Sequence, residues 1–449
     1  MSAYHKILII LLLSFCSLQK SFAQDSTLIG KSIKWDLVKC IDYAKKNNIQ
    51  INSLRLSQLT AQQQYLLAQA ARLPNLSGSA SQNFEHANTR SYNNSGSTSG
   101  GSGFSATGNY GLNSSVTLYN GNYLNNTILQ ANLSVEAANL NIIQQENDIS
   151  LLVTQAYLAI LLDKETIVYN KDLVTTATAQ VKQEQQMYDV GSVARYALIQ
   201  LQAQLSSNNY ALVNAQNTLR GDILTLKQLL VLPSDIGFDV VKPDTIIAID
   251  SIKAFHEVEK MALNNRPEIK NGELALKIAN YDIEKARAGY KPTLTAGGSL
   301  NTGYTTGQGS LPGQLNSNFN QQVGLTLAVP IFTRRVVKTQ VEEAKIAVEQ
   351  ADLSLKNIKI TLSQTVERAF INVENAKSQY TAALEQYNFN KEGYRIASEQ
   401  LKVGVANIVD FLLQKNLFIQ AQQAYIQAKY NELLTLKIYD FYRGIPIKL

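Results

Sequence analysis

The chain has 449 residues, 45% of them hydrophobic, with 41 lysines and arginines against 35 aspartates and glutamates. That near balance, with no cluster of basic residues, excludes a nucleic-acid face built on a charged patch. Two cysteines, three histidines and three methionines exclude a disulfide framework and leave no grouping with zinc or copper spacing.

The chain opens MSAYHK, continues ILIILLLSF and reaches SFAQ. A basic start, a nine-residue apolar core and Ser21-Phe22-Ala23 as a small-x-small cleavage site predict a secretory signal peptide over residues 1–23. The apolar run is too short for a bilayer, which takes about 20 residues. Phe15 stands where a lipobox before Cys16 requires a small residue, so no lipid is expected there. Only Cys40 remains after cleavage, and Leu37, Cys40, Ile41 and Ala44 fall at helical spacing, which places Cys40 in a core. No later segment reaches 18 unbroken apolar residues, so no transmembrane helix is expected.

Alternation takes over further on. In LNSSVTLYN (112–120) Leu112, Val116 and Leu118 share a face, and in VGLTLAVPIF (323–332) Val323, Leu325, Leu327, Val329 and Ile331 do so. LSGSASQNF (76–84) and LTAGGSLNTGY (294–304) alternate more weakly. Strands are therefore expected at about 75–85, 108–120, 293–304 and 320–332. Their length, one apolar face each, and Phe84, Tyr110, Tyr119, Tyr304 and Phe332 near the ends fit membrane-spanning β-strands with aromatic girdles. NNSGSTSGGSG (93–103) reads as a flexible loop between the first two.

Two stretches, Asn122–Val190 and Ile331–Glu392, hold 69 and 62 residues without glycine or proline. As helices they would span roughly 100 Å and 90 Å at about 1.5 Å per residue, far beyond a compact domain. Apolar and small residues at 131, 135, 138, 142, 149 and 156 step alternately by four and three, and the second stretch repeats them at 344, 348, 351, 355, 362 and 369. This is a heptad seam. Its alanines bury little area per contact, so each helix should need neighbours on both sides.

The chain is written twice. An offset of 213 pairs Ala131 with Ala344, Val135 with Val348, Val153 with Val366, and Gly191 with Gly404; upstream an offset of 218 pairs Ala68 with Ala286 and Pro74 with Pro292. The expected organisation is a first repeat over 24–232, a connector over 233–256 carrying two prolines, and a second repeat over 257–449. Four strands cannot close a barrel, since the smallest bacterial barrels have eight, and an open edge is not tolerated in lipid. Several copies must share one barrel if these strands span a membrane.

The PNL and PTL lead-ins to each strand pair, VPIF at 329–332, the paired Val-Gly turns and GVANIVDFLL at 404–413 resemble the TolC-like outer-membrane efflux family. The resemblance covers essentially the whole mature chain. It implies a mainly α fold with transmembrane β: a homotrimer whose twelve-stranded barrel, four strands per chain, continues into an α-helical tunnel through the periplasm. It implies a passive exit duct in the outer membrane lipid, working with a periplasmic adaptor and an inner-membrane pump. In the family the helix turns form the entrance aperture and the surface that adaptors grip. The matching residues are Tyr188, Asp189, Val190, Gly191 and Ser192, with Leu401, Lys402, Val403, Gly404 and Val405. Asp410 matches an acid that rings the aperture; Leu413 replaces a second one, and Ala197 and Ala406 stand where some members carry an Asp-Arg pair.

Glycines around 96–111 have no strand before them and no helix after, so they form no dinucleotide site. No nucleophile-base pair has a supporting motif, so neither an enzyme nor a cofactor is expected. The competing reading is a periplasmic adaptor or coiled-coil structural protein, with a filament subunit behind it. The whole-chain duplication with two strand pairs and the signal peptide weigh against both.

Overall fold

A computed structural model describes residues 33–92, 98–242 and 252–447. The signal peptide expected at 1–23, and 243–251 of the expected connector, lie outside the described residues. The first half runs β1 (Ile33–Trp35), α1 (Leu37–Asn47), α2 (Ile49–Ala70), β2 (Asn75–Tyr92), β3 (Thr98–Asn120), α3 (Tyr123–Asp189) and α4 (Arg195–Leu230). After β4 (Phe238–Val240) the second half runs α5 (Phe255–Asn265), α6 (Pro267–Ala288), β5 (Thr293–Thr305), α7 (Leu311–Ser317), β6 (Asn320–Ala328), α8 (Val336–Lys402) and α9 (Ile408–Tyr442).

The duplication read from the sequence reappears element by element. Helices α1 and α5 have 11 residues each, α2 and α6 have 22, and α3 and α8 have 67. The long pair takes over the seam: Ile142, Ile149 and Val153 are buried in α3, and Leu355, Leu362 and Val366 in α8. Above the waist of the molecule the packing order is α2, α3, α6, α8; below it, α4, α3, α9, α8. The two long helices pass through both layers.

Strands β2, β3, β5 and β6 form one antiparallel sheet in that order. The first two are longer than their side-chain pattern suggests, because β2 runs to Tyr92 and β3 starts at Thr98, inside the stretch expected as a loop. The pairing from Asn75↔Ser115 to Tyr92↔Thr98 satisfies the backbone whatever the side chains are, so glycine and serine leave no alternating signal. β6, expected to reach 332, stops at Ala328. Pro330 has no N–H for a ladder, and Arg334 and Arg335 at positive φ turn the chain into α8.

Register sorts the faces. Leu294 pairs with Leu327, Ala296 with Leu325 and Leu300 with Leu112, which puts the apolar residues on one side. Thr295 pairs with Thr326, Ser299 with Gln322 and Asn113 with Ser77 on the other. The polar side is concave, with Ser79, Ser81, Asn109 and Asn301 around a hollow. Gly108 is required, because a Cβ there would collide with the Tyr304 ring. No helix among the described residues is long and apolar enough to cross a membrane, which says nothing of these strands.

The largest core lies at the waist. The parallel pair β1–β4 sets Ile33 against Phe238 and Trp35 against Val240. Cys40, Ala44, Ile51, Leu226 and Leu230 bury around it with Val153 and Tyr157 of α3. The Tyr157 hydroxyl donates to the Val241 carbonyl at 2.5 Å, tying the inter-repeat segment to α3.

Between α3 and α4, the Asp163 and Asp222 carboxyls lie close enough to share a proton. Burial, and then the neighbouring Asp222, push the Asp163 carboxyl up to about 7 from its ordinary 3.8. A folded value above the unfolded one means that this pair's contribution is fully present below about pH 3.8 and is lost as pH rises through 7. Asp163→Asn is therefore expected to raise the apparent unfolding temperature at pH 8, by roughly 1–3 °C, and to leave it unchanged at pH 4. Thermal melts at the two pH values check this; an equal shift at both refutes the shared proton.

Candidate functional site: the paired helix turns

Each 67-residue helix ends in the same way. Gly191 (φ 76°) and Gly404 (φ 74°) adopt the left-handed backbone, and a Cβ at either would meet nothing within 4 Å. The glycines are there for φ alone, a conformation that costs other residues roughly 1–2 kcal/mol. Gly191 N–H donates to the Tyr188 carbonyl and Ser192 N–H to that of Met187, both at 2.9 Å. In the second turn Gly404 N–H reaches Leu401 O at 3.1 Å and Val405 N–H reaches Gln400 O at 2.9 Å. Both are Schellman stops, which satisfy the orphan carbonyls before the chain reverses.

The turns come to one end of the molecule. Val190, Val403 and Val405 are 79%, 73% and 77% exposed and Tyr188 is partly so, an apolar tip on each hairpin. Asp189 accepts from Gln185, and Lys402 donates to Glu399 at 2.8 Å, so the tip charges are engaged within their own helices. The restarts differ. α4 begins at Ala194 with no side-chain cap, whereas the Asn407 side chain caps α9 by accepting from Asp410 N–H at 2.9 Å. Asp410 sits exposed in the first turn of α9, where the helix dipole favours a carboxylate.

Behind the tips, contacts absent from the sequence reading fasten the two hairpins together. Lys415 of α9 is 1% exposed, and its Nζ donates to Gln180 Oε1 of α3 at 2.8 Å. Burial alone lowers this ammonium to about 8, and no carboxylate offsets it. The same Gln180 amide lies beside the Tyr394 hydroxyl of α8, so it neighbours both helices of the opposite hairpin. Glu165 of α3 makes the second fastening: it accepts from Lys429 at 2.9 Å and from Tyr430 at 2.7 Å. Burial raises that carboxyl, but the two hydrogen bonds and the Lys429 charge outweigh it and leave Glu165 below its usual range.

Within the second hairpin, Tyr380, Tyr387 and Tyr394 of α8 face Phe411, Phe418 and Tyr425 of α9. Tyr394 and Phe418 stack at 5.3 Å and Tyr387 and Tyr425 at 5.1 Å. Both rows step by seven, so this ladder is a signal that the sequence does carry.

Residues 40–230 and 258–436 match the family described as outer membrane efflux protein. The chain belongs to the outer membrane efflux protein family. Curated relatives include "Toxin and drug export protein A" of Aggregatibacter actinomycetemcomitans, 26% identical over 59% of this chain and 58% of that protein. Outer membrane efflux protein BepC of Brucella suis biovar 1 is 23% identical over 94% of this chain and 86% of its own length. The chain thus spans less than two thirds of the first of these and most of the second. Among solved structures, the Campylobacter jejuni CmeC outer membrane channel superposes with a TM-score of 0.77 at 21% identity, covering 91% of this chain and 85% of that one. That likeness is one of fold, and an outer membrane efflux protein's fold is what the two long helix pairs and the four-stranded sheet make.

Proposed function

We propose that the protein is the outer-membrane exit duct of a tripartite efflux or secretion system, built as a homotrimer that conducts passively. The observation that carries this is the pair of open flanks. β2 and β6 are the sheet's edges; α2 and α4 lie on the β2 flank of the helical layers, and α8 lies on the β6 flank. α2 exposes Ile49, Leu56, Leu59 and Leu66, and α8 exposes Ile346, Leu353 and Ile360, both at heptad spacing with nothing packed on them. One copy's first flank completes the next copy's last. Strand direction alternates across the sheet, so β6 meets the neighbour's β2 antiparallel, and three copies close twelve strands. The concave polar face then lines the lumen and the apolar face meets lipid.

In this reading 24–232 and 257–449 are the two repeats, joined by 233–256 at the waist. The exposed tips at Tyr188–Ser192 and Leu401–Val405 supply the apolar surface that a periplasmic adaptor grips, and the pump behind it provides the energy. Asp410, at the start of α9, brings three carboxylates to the aperture, where they favour cations. With Ala197 and Ala406 in place of an ion pair, the closed gate is held by the Gln180 clamp instead. What the relatives' names say they export supports an efflux role here without fixing the cargo.

Native mass spectrometry of the protein extracted from outer membranes should give a trimer stable in mild detergent. A monomer or dimer recovered from the soluble periplasm would replace the duct with an adaptor or structural role. In planar bilayers the duct should be cation-selective, and Asp410→Asn should reduce the reversal potential under a KCl gradient. An unchanged potential removes Asp410 from the aperture. Gln180→Leu strands the Lys415 ammonium without its acceptor. Conductance at pH 7 should rise several-fold, and the excess should shrink by about pH 9.5, because the amine loses its charge near 8. Wild-type conductance in Gln180→Leu at pH 7 takes the clamp out of the gate.

A further inference from the structure

Where α6 starts above the end of α9, a cavity of about 600 Å³ opens between α3, α6 and α8. Arg266 stands at its back, 8% exposed, with its guanidinium 4.2 Å from the Phe441 ring and 5.3 Å from that of Tyr442. Its Nε donates to Glu268 Oε1 at 3.0 Å. The other oxygen, Glu268 Oε2, is buried with no hydrogen-bond partner. Asp148 of α3 completes the set; burial raises its carboxyl, the nearby Arg266 lowers it and Glu268 raises it again. Among the described residues Arg266 is thus paired with Glu268 alone, and Asp148 has no cation in direct contact. Two further cations of this region are engaged: Lys359 with Glu273 at 3.9 Å and Arg443 with Asp440 at 2.6 Å.

We propose that this cavity binds a monovalent amphiphilic cation, its charged centre on the side of Asp148 and Glu268 and its apolar body against Leu355 and Ile358. The volume falls in the range of small-molecule sites, roughly 300–1,000 Å³. Beside the two carboxylates the wall carries amides and hydroxyls, among them Gln144, Asn271 and Thr361, but among the described residues no group of three His, Cys, Asp or Glu side chains is placed to hold a metal ion. An organic cation has its charge spread over a larger radius and loses less hydration on entering. Aromatic faces at the back add attraction for it.

The first half shows that the charge is not needed to build such a junction. There Asn48 takes the place of Arg266, capping α2 through Gln50 N–H at 2.9 Å, and its amide points to the Leu229 carbonyl. Gln50, the counterpart of Glu268 at the 218 offset, accepts from Gln145 at 2.9 Å. At these two helix-start positions the first repeat is neutral, with Asn48 and Gln50, and the second is charged, with Arg266 and Glu268.

The test uses tetraphenylphosphonium and tetraphenylborate, ions of matched size and opposite charge, in equilibrium dialysis against the full-length oligomer in amphipol. It is run in an Asp410→Asn background, so that carboxylates at the tips cannot hold the cation. The expected result is one phosphonium per chain with borate at least tenfold weaker, and at least a tenfold loss of phosphonium binding in Glu268→Gln with Asp148→Asn. Equal binding of the two ions, or phosphonium binding unchanged in the variant, overturns the site. The Glu268→Gln change repeats what Gln50 already does in the first half; should the variant still fail to assemble, the comparison of the two ions decides alone. The site lies within one chain, so a failure of the trimeric duct in bilayers would leave this result standing.

Discussion

An unpaired backbone amide or carbonyl costs several kcal/mol in hydrocarbon, so a sheet placed there has to close on itself. One copy of this chain brings four strands and two edges. Its helical layers end in the same predicament on the same flanks, with exposed heptad seams on α2 and α8. Sheet and helices therefore ask for the same partner in the same register. In the proposed duct a neighbour that pairs β6 with its own β2 also covers α8 with its own α2. Closure of the barrel and closure of the tunnel become one event.

Length then follows from the breakers. With 67 residues in each long helix, about 100 Å at 1.5 Å per residue, the tips lie far from the sheet. Two glycines set the reversal, and the seam between the hairpins sets how freely the ends move. That seam is polar where it crosses from one repeat to the other, at Gln180 and Glu165, and aromatic within the second hairpin, at Tyr394 and Phe418. Stacked rings add roughly 0.5–1.5 kcal/mol per pair beyond their buried area, so α8 and α9 move as one body. The boundary between hairpins rests on a few hydrogen bonds, those to charged groups net worth about 1.5–3 kcal/mol each, and holds an ammonium that no carboxylate offsets. In the proposed duct this is the joint that opens, because α9 packs far less extensively against α3 than against α8.

Much of this was legible beforehand, because it rests on spacing. The 213 and 218 offsets, the breaker-free runs, the left-handed glycines and the buried positions Ile142, Ile149, Leu355 and Leu362 all lie in local pattern. The length of β2 and β3 was hidden, since glycine and serine pair along a ladder without alternating. The clamp and the charged cavity were hidden for a different reason. Gln180 and Lys415 are 235 positions apart, and Arg266 meets Phe441 from another element; a lone lysine on a helix face reads as solvated until its neighbours are in place.

The two halves share a backbone plan and differ where charge sits. At matched positions the first half has Asn48, Gln50, Ala194 and Ala197; the second has Arg266, Glu268, Asn407 and Asp410. The neutral set suffices to build the waist joint and to restart the lower helix, since α4 begins without any side-chain cap. Folding alone therefore does not demand the charges of the second set. Buried or ring-forming charges cost desolvation and repulsion, and a duplication that needed only shape would shed them. They stand where the proposed cavity and the proposed aperture would use them, at the waist and at the tip of the hairpin whose helices are stacked together, with Asp148 the first repeat's own contribution to the cavity.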